Sequence, residues 1–135
     1  MDKRKHFTSM NLKELQILKN TINSITFKTK KYSLSRLLQR NISLQQVANT
    51  IKNGEIIEFH VVDGTSPRVL LRGQRTAYNN CVCVVVDIVD CCLVTAYKND
   101  YDDRHDSLNT DLYIDDIDVI GILNKWEVMR GAKVS

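Results

Sequence analysis

Between Ser43 and Lys98 the apolar positions change period once, from helical to extended. In SLQQVANTIKN the residues Leu44, Val47, Ala48 and Ile51 share one helical face, Ser43 stands at the N-cap position and Gly54 lies just past the end. Start signal, period and stop signal come in order. Four β-rich runs follow, EIIEFHVV, RVLLRG, CVCVVVDIV and CCLVTAYK, separated by DGTSP, by QRTAYNN and by a tight turn near Val89-Asp90. That spacing predicts antiparallel hairpins. Pro67 has no N–H to give to a ladder and suits the first of these turns.

Upstream, Leu12, Leu15, Leu18 and Ile22 recur at helical spacing, which predicts an amphipathic helix over Asn11–Ile25. Ile25 to Lys30 alternates briefly, as a short strand or an extended entry. Ser33–Arg40 puts Leu34, Leu37 and Leu38 on one side of a second helix, with Asn41 as a left-handed stop. Residues 1–10 read as a frayed basic arm, 99–113 as a long acidic loop and 114–130 as a helical extension whose start carries Asp115, Asp116 and Asp118. The expected architecture is α+β: N-terminal helices packed on a four-stranded antiparallel sheet, with a C-terminal helical extension.

At 135 residues the chain reads as one domain, 1–135, large enough to bury its own core. The longest apolar run, Val82–Val86, is far short of a membrane span, and MDKRKHFTSM has no apolar segment of the secretory kind. A cytoplasmic site of action is expected. Cys81, Cys83, Cys91 and Cys92 sit within strand patterns, and a turn near Val89-Asp90 sets the two pairs several residues apart along the ladder. At about 3.3 Å per residue they are too distant to share one ion. Reduced, buried thiols are therefore expected, with no metal and no cofactor.

Charge is unevenly spread. Residues 1–52 hold eleven Lys or Arg against Asp2 and Glu14, while the remainder holds eight against fourteen acids. A basic half of this kind suits a polyanion, and equally suits a solvated surface neutralised by an acidic tail.

Strand alternation places Glu58 with His60, Arg68 with Arg72, and Thr95 with Tyr97, while Val94 and Ala96 look toward a core with Val82, Val84 and Val86. If helices cover the aliphatic face, the other collects His60, Arg68, Arg72, Thr95 and Tyr97. Guanidinium forks and an aromatic platform are what RNA phosphates and bases need. Each residue also has a plainer role: His60 as a hydrogen-bonded strand residue, the arginines as edge protection, Tyr97 as packing and His105 as a solvated loop residue. No phosphate-binding glycine loop, nucleophile elbow or HExxH pattern is present.

The runs YSLSRLLQRNISLQQVANTIKNGEIIEFH, SPRVLLRG and VCVVVDIVDCCLVTAYKND together resemble a bacterial domain-of-unknown-function family over roughly residues 32–100. Its members read His-Ala-x-x-Arg-x-x-x-Arg-Gly-Ile-Ser, then a helix ending in Gly-Glu, a Leu-Leu-x-Gly strand and a closing Val-Thr-Ala-Tyr. That family is grouped with RelE-like toxins in the barnase/EndoU/colicin/RelE ribonuclease superfamily. The loop DYDDRHDSLNTDLY is similar to a D-x-H-x-T/S-L segment of some polymorphic-toxin domains. In this resemblance Arg36 and Arg40 fall on the family's two arginines, Glu55 on its Gly-Glu acid, Arg68 and Gly73 on the central strand, and Thr95 and Tyr97 on the closing one. Two positions depart from it: Tyr32 replaces the leading His and Asn41 the Gly before Ile-Ser.

The resemblance implies a toxin-like, metal-independent endoribonuclease in which the 2′-OH attacks the adjacent phosphate. His60 or His105 would be the base, Arg68, Arg72 and Thr95 would complete the catalytic set, and Arg36, Arg40, Tyr97 and Lys98 would bind RNA. An active enzyme of this kind implies a neutralising antitoxin or immunity protein. The alternative is a non-catalytic RNA- or protein-binding module on the same scaffold.

Overall fold

The computed structural model describes residues 2–62, 64–103 and 110–126. The chain opens with strand β1 (Asp2–His6), then runs through α1 (Leu12–Asn23), α2 (Lys31–Gln39), α3 (Leu44–Asn53), β2 (Glu55–Val62), β3 (Arg68–Arg72), β4 (Asn80–Asp87), β5 (Cys92–Asp100) and α4 (Val119–Lys125). The strands form one sheet in the order β1-β2-β3-β4-β5, with every neighbour antiparallel.

Two expectations are corrected. The sheet has five strands rather than four, because the stretch read as a frayed arm is β1, paired with β2 from Asp2↔Val62 to His6↔Glu58. The first element is therefore a strand ahead of the helices. DKRKH has no apolar alternation to announce it; the ladder and two ion pairs hold it instead. Lys5 turns to the helix side, where its Nζ donates to the Glu14 carboxylate of α1 at 3.0 Å and to Ile117 O at 2.9 Å. Within the expected extension the helix starts later, at Val119 behind an Asp118 cap, and runs over Val119–Lys125 after a 3-10 turn at Thr110–Leu112; residues 127–130 lie outside the described residues.

The helix boundaries follow their caps. Asn11 and Glu14 form a reciprocal capping box on α1, as Ser43 and Gln46 do on α3, satisfying backbone donors that the first turn leaves free. Asn41 takes φ 55° and turns the chain between α2 and α3. The main core gathers Leu18, Ile22, Leu37 and Val47 from the helices with Phe59, Val69, Leu71 and Val84 from the sheet. The end of α3 comes very close to the strands. A Cβ on Gly54 would collide with Thr50 O and lie 2.7 Å from Arg72 O, so only glycine fits there.

Two bulges shift register, between Ile56 and Glu58 in β2 and between Val85 and Val86 opposite β5. The second corrects a face: Val94 packs with Ile57, Leu70, Cys81, Cys83 and Val85 on the far side of the sheet, not with Val82, Val84 and Val86. Both edges are occupied in part. Ile114 N–H donates to Arg4 O at 2.9 Å beside β1, and Lys28 exchanges two 2.8 Å backbone bonds with Cys91 and Leu93 beside β5. Among the described residues no helix is long and apolar enough to cross a membrane.

Candidate functional site

The face of the sheet opposite the main core is built around one buried acid. Glu58 follows the β2 bulge and has no exposed surface. Its Oε1 accepts from His60 Nε2 at 2.9 Å and from Arg4 Nη1 at 3.3 Å, and its Oε2 accepts from the Tyr113 hydroxyl. Burial alone would raise the carboxyl pKa. The hydrogen bonds from His60 and Tyr113 and the charges of His60 and Arg4 outweigh burial and hold it below its usual range. Glu58 is thus an anion, and an anion has no proton to give. The bond to Glu58 therefore puts a proton on His60 Nε2, so that in the neutral form of the ring Nδ1 is the nitrogen able to accept, as a carboxylate arranges for a catalytic imidazole.

The other partners are held in turn. Arg4 forks onto Asp2 Oδ2 through Nε and Nη2 at 3.2 and 3.0 Å. Burial tends to lower its pKa, but Asp2 and Glu58 raise it further above its ordinary value. Next to His60 in the β2–β3 register stands Arg68, whose buried Nε has no hydrogen-bond partner. Across from it, the Asp87 carboxylate is occupied by the Ser66 hydroxyl and the N–H groups of Val89 and Asp90. A buried guanidinium donor beside an oriented imidazole is thus left without an acceptor of its own.

The residues expected from sequence separate into groups. His60 and Arg68 are adjacent. Tyr97 lies on the same face; its phenol is pushed up by burial and by the charges of Cys83 and Glu58. Arg72 sits at the far end of β3, stacked 4.7 Å over Tyr101 and bonded to Glu55 Oε2 at 2.8 Å. Thr95 and Arg40 are drawn to the β5 edge, where Arg40 Nη1 donates to Thr95 Oγ1 at 3.1 Å and to Ala96 O at 2.7 Å. In register Thr95 lies three strands from Glu58, roughly 14 Å at the usual strand spacing. Arg36 bonds Gln39 on the α2 surface, and Lys98 points to the helix side beside Leu37 and Ile42. His105 lies outside the described residues.

Arg4, Glu58 and Tyr113 are the members that sequence reasoning left out of the site. Alternation already paired Glu58 with His60, and an acid between apolar neighbours in a buried strand was the available signal. Arg4 and Tyr113 gave none, since each arrives from a segment read as arm or loop.

The cysteines pair along the ladder as expected, with Cys81 opposite Asn99 and Cys83 opposite Tyr97, at the other end of the sheet from Cys92. Cys81 Sγ and Cys83 Sγ lie 3.9 Å apart, and burial pushes both thiols up. Among the described residues no three His, Cys, Asp or Glu converge on a point that could hold a metal ion.

No curated protein and no solved structure matches the chain. Residues 33–98, from α2 through most of β5, match the family model described as a domain of unknown function (DUF4258), a segment that contains Glu58, His60 and Arg68 but neither Arg4 nor Tyr113.

Proposed function

We propose that this face of the sheet binds and cleaves RNA, making the protein a toxin-like, metal-independent endoribonuclease. One observation carries the reading: a carboxylate-oriented imidazole, His60, stands beside Arg68, whose buried donor is unpaired. His60 Nδ1 takes the proton of a ribose 2′-OH, the 2′-oxygen forms a bond to the adjacent phosphorus, and the bond to the 5′-oxygen breaks. The leaving oxygen takes a proton from solvent, giving a cyclic phosphate and a free 5′-OH. Arg68 stabilises the charge on the phosphorane, Tyr97 offers a stacking surface, and Arg4 acts through Glu58. Such an activity acts in the cytoplasm and calls for a neutralising antitoxin or immunity protein.

A second reading, a non-catalytic RNA- or protein-binding module, is favoured by Tyr32. It is 74% exposed and occupies the position where the resembling family carries His. Purified protein incubated with a structured RNA in EDTA separates the two. Cyclic-phosphate ends that disappear in His60→Ala and Arg68→Ala, with both variants folded, support the nuclease. RNA retained on the protein and recovered intact supports the module.

A further inference from the structure

On the opposite side of the molecule a groove of about 780 Å³ opens between α3 and the segment that follows α1. Ile22 and Leu93 form its floor, and Phe27, Leu44, Ala48 and Ile51 its walls. Leu44, Ala48 and Ile51 recur at i, i+4 and i+7, and Leu44 is 52% exposed, so α3 leaves part of an apolar stripe uncovered. The size is that of a ligand-binding cleft, but it is open, its walls are largely apolar and one of them is a helix, as in grooves that take an amphipathic helix.

Charge identifies the occupant. Residues 15–54 carry seven Lys or Arg and no Asp or Glu. Three of the seven are engaged: Lys19 donates to Gly54 O, Arg36 to Gln39, and Arg40 to Thr95 and Ala96. Lys28, Lys30, Lys31 and Lys52 are exposed, and Lys52 lines the groove itself. An apolar groove lined by Lys52, whose wall segment is followed in sequence by the exposed Lys28, Lys30 and Lys31, and built mainly from a forty-residue stretch of chain without an acid, complements an apolar stripe flanked by carboxylates. RNA would use the ammonium groups but leave the apolar walls of Leu44, Ala48 and Ile51 unfilled.

We infer that the groove between α3 and the Ile25–Thr29 segment is a docking site for an acidic amphipathic helix of a partner protein. The site lies apart from Glu58 and His60 and stands whether or not the chain cleaves RNA.

The test uses the full chain and two labelled 18-residue helical peptides with Leu at i, i+3, i+4 and i+7. One is flanked by Glu and the other by Lys, and binding is read by fluorescence anisotropy. The Glu peptide is expected to bind at least about tenfold more tightly than the Lys peptide. Lys28→Glu/Lys52→Glu should reverse that preference, and Ala48→Glu should weaken both peptides at least about tenfold. Ala48 is exposed and glutamate is a good helix former, so the variant should keep its circular dichroism; if it does not, Leu44→Gln takes its place. His60→Ala should bind the Glu peptide as the wild type does. Three results would overturn the inference: equal binding of the two peptides, no binding of the Glu peptide up to about 1 mM, or an unchanged affinity in Ala48→Glu. A concentration-dependent dimer that Ala48→Glu abolishes would do so as well, assigning the groove to a second copy.

Discussion

On one side of the sheet Phe59, Val69, Leu71 and Val84 are fully buried among aliphatic neighbours from the helices. On the other side Glu58 is equally buried, yet it sits among Arg4, His60 and Tyr113 beside a small cluster of Ile57, Leu70 and cysteines. The same backbone alternation thus serves two ends. One face repays the entropy of folding by burying apolar area. The other spends burial on holding an anion and the groups that answer it. The contrast also separates two buried ion pairs. Lys5–Glu14 ties β1 to α1 and Glu14 doubles as a cap, a structural task, whereas the Glu58 network ends at an imidazole with a free nitrogen.

The helix-side face should give the largest loss of stability. Phe59→Ala removes a fully buried ring at the centre of the main core and is expected to cost about 3–5 kcal/mol in urea unfolding. A loss below 1 kcal/mol would mean that this core is not what holds the sheet.

Glu58→Ala should cost nearly as much, about 3 kcal/mol, because it strands Arg4, His60 and Tyr113 without their acceptor. The pH dependence follows from its lowered pKa. The stabilising contribution is fully present above the unfolded value, near pH ~4.3, and is lost as pH falls through the lower folded value. The stability gap between wild type and Glu58→Gln should therefore narrow only in that acid range. A gap that narrows near neutrality would contradict this assignment to Glu58.

Gly54→Ala tests how closely α3 is seated on the sheet and should destabilise by about 2 kcal/mol, since the new methyl meets two backbone carbonyl oxygens. Leu12→Ser, at a position 85% exposed, marks the floor of the scale, with a change within about 0.5 kcal/mol. A larger effect there would reveal a packing role that its exposure does not show.

Legibility in the sequence follows the same division. α1 and α3 were readable to within a residue or two because capping residues and apolar period agree, as at Asn11 and Ser43. The order of β2 to β5 was readable for the same reason. β1 was not, since its five residues are all charged or polar and gain their place from long-range partners, Glu14 and Glu58. The bulges were hidden too, because a one-residue shift leaves no compositional mark; Val94 changed faces on that account. Of the site, the strand residues His60 and Arg68 were visible through alternation. Their neighbours Arg4 and Tyr113 come from segments far away in sequence, and no local pattern links them.

The most direct test is cleavage of a structured RNA by purified wild type, His60→Ala and Arg68→Ala in EDTA, with product ends identified and each variant's fold checked by circular dichroism. The expected result is cyclic-phosphate and 5′-hydroxyl ends from the wild type and loss of at least about a hundredfold in rate in both variants. Intact RNA with the folded wild type, or cleavage that both substitutions leave unchanged, would contradict the assignment of this face as a ribonuclease site.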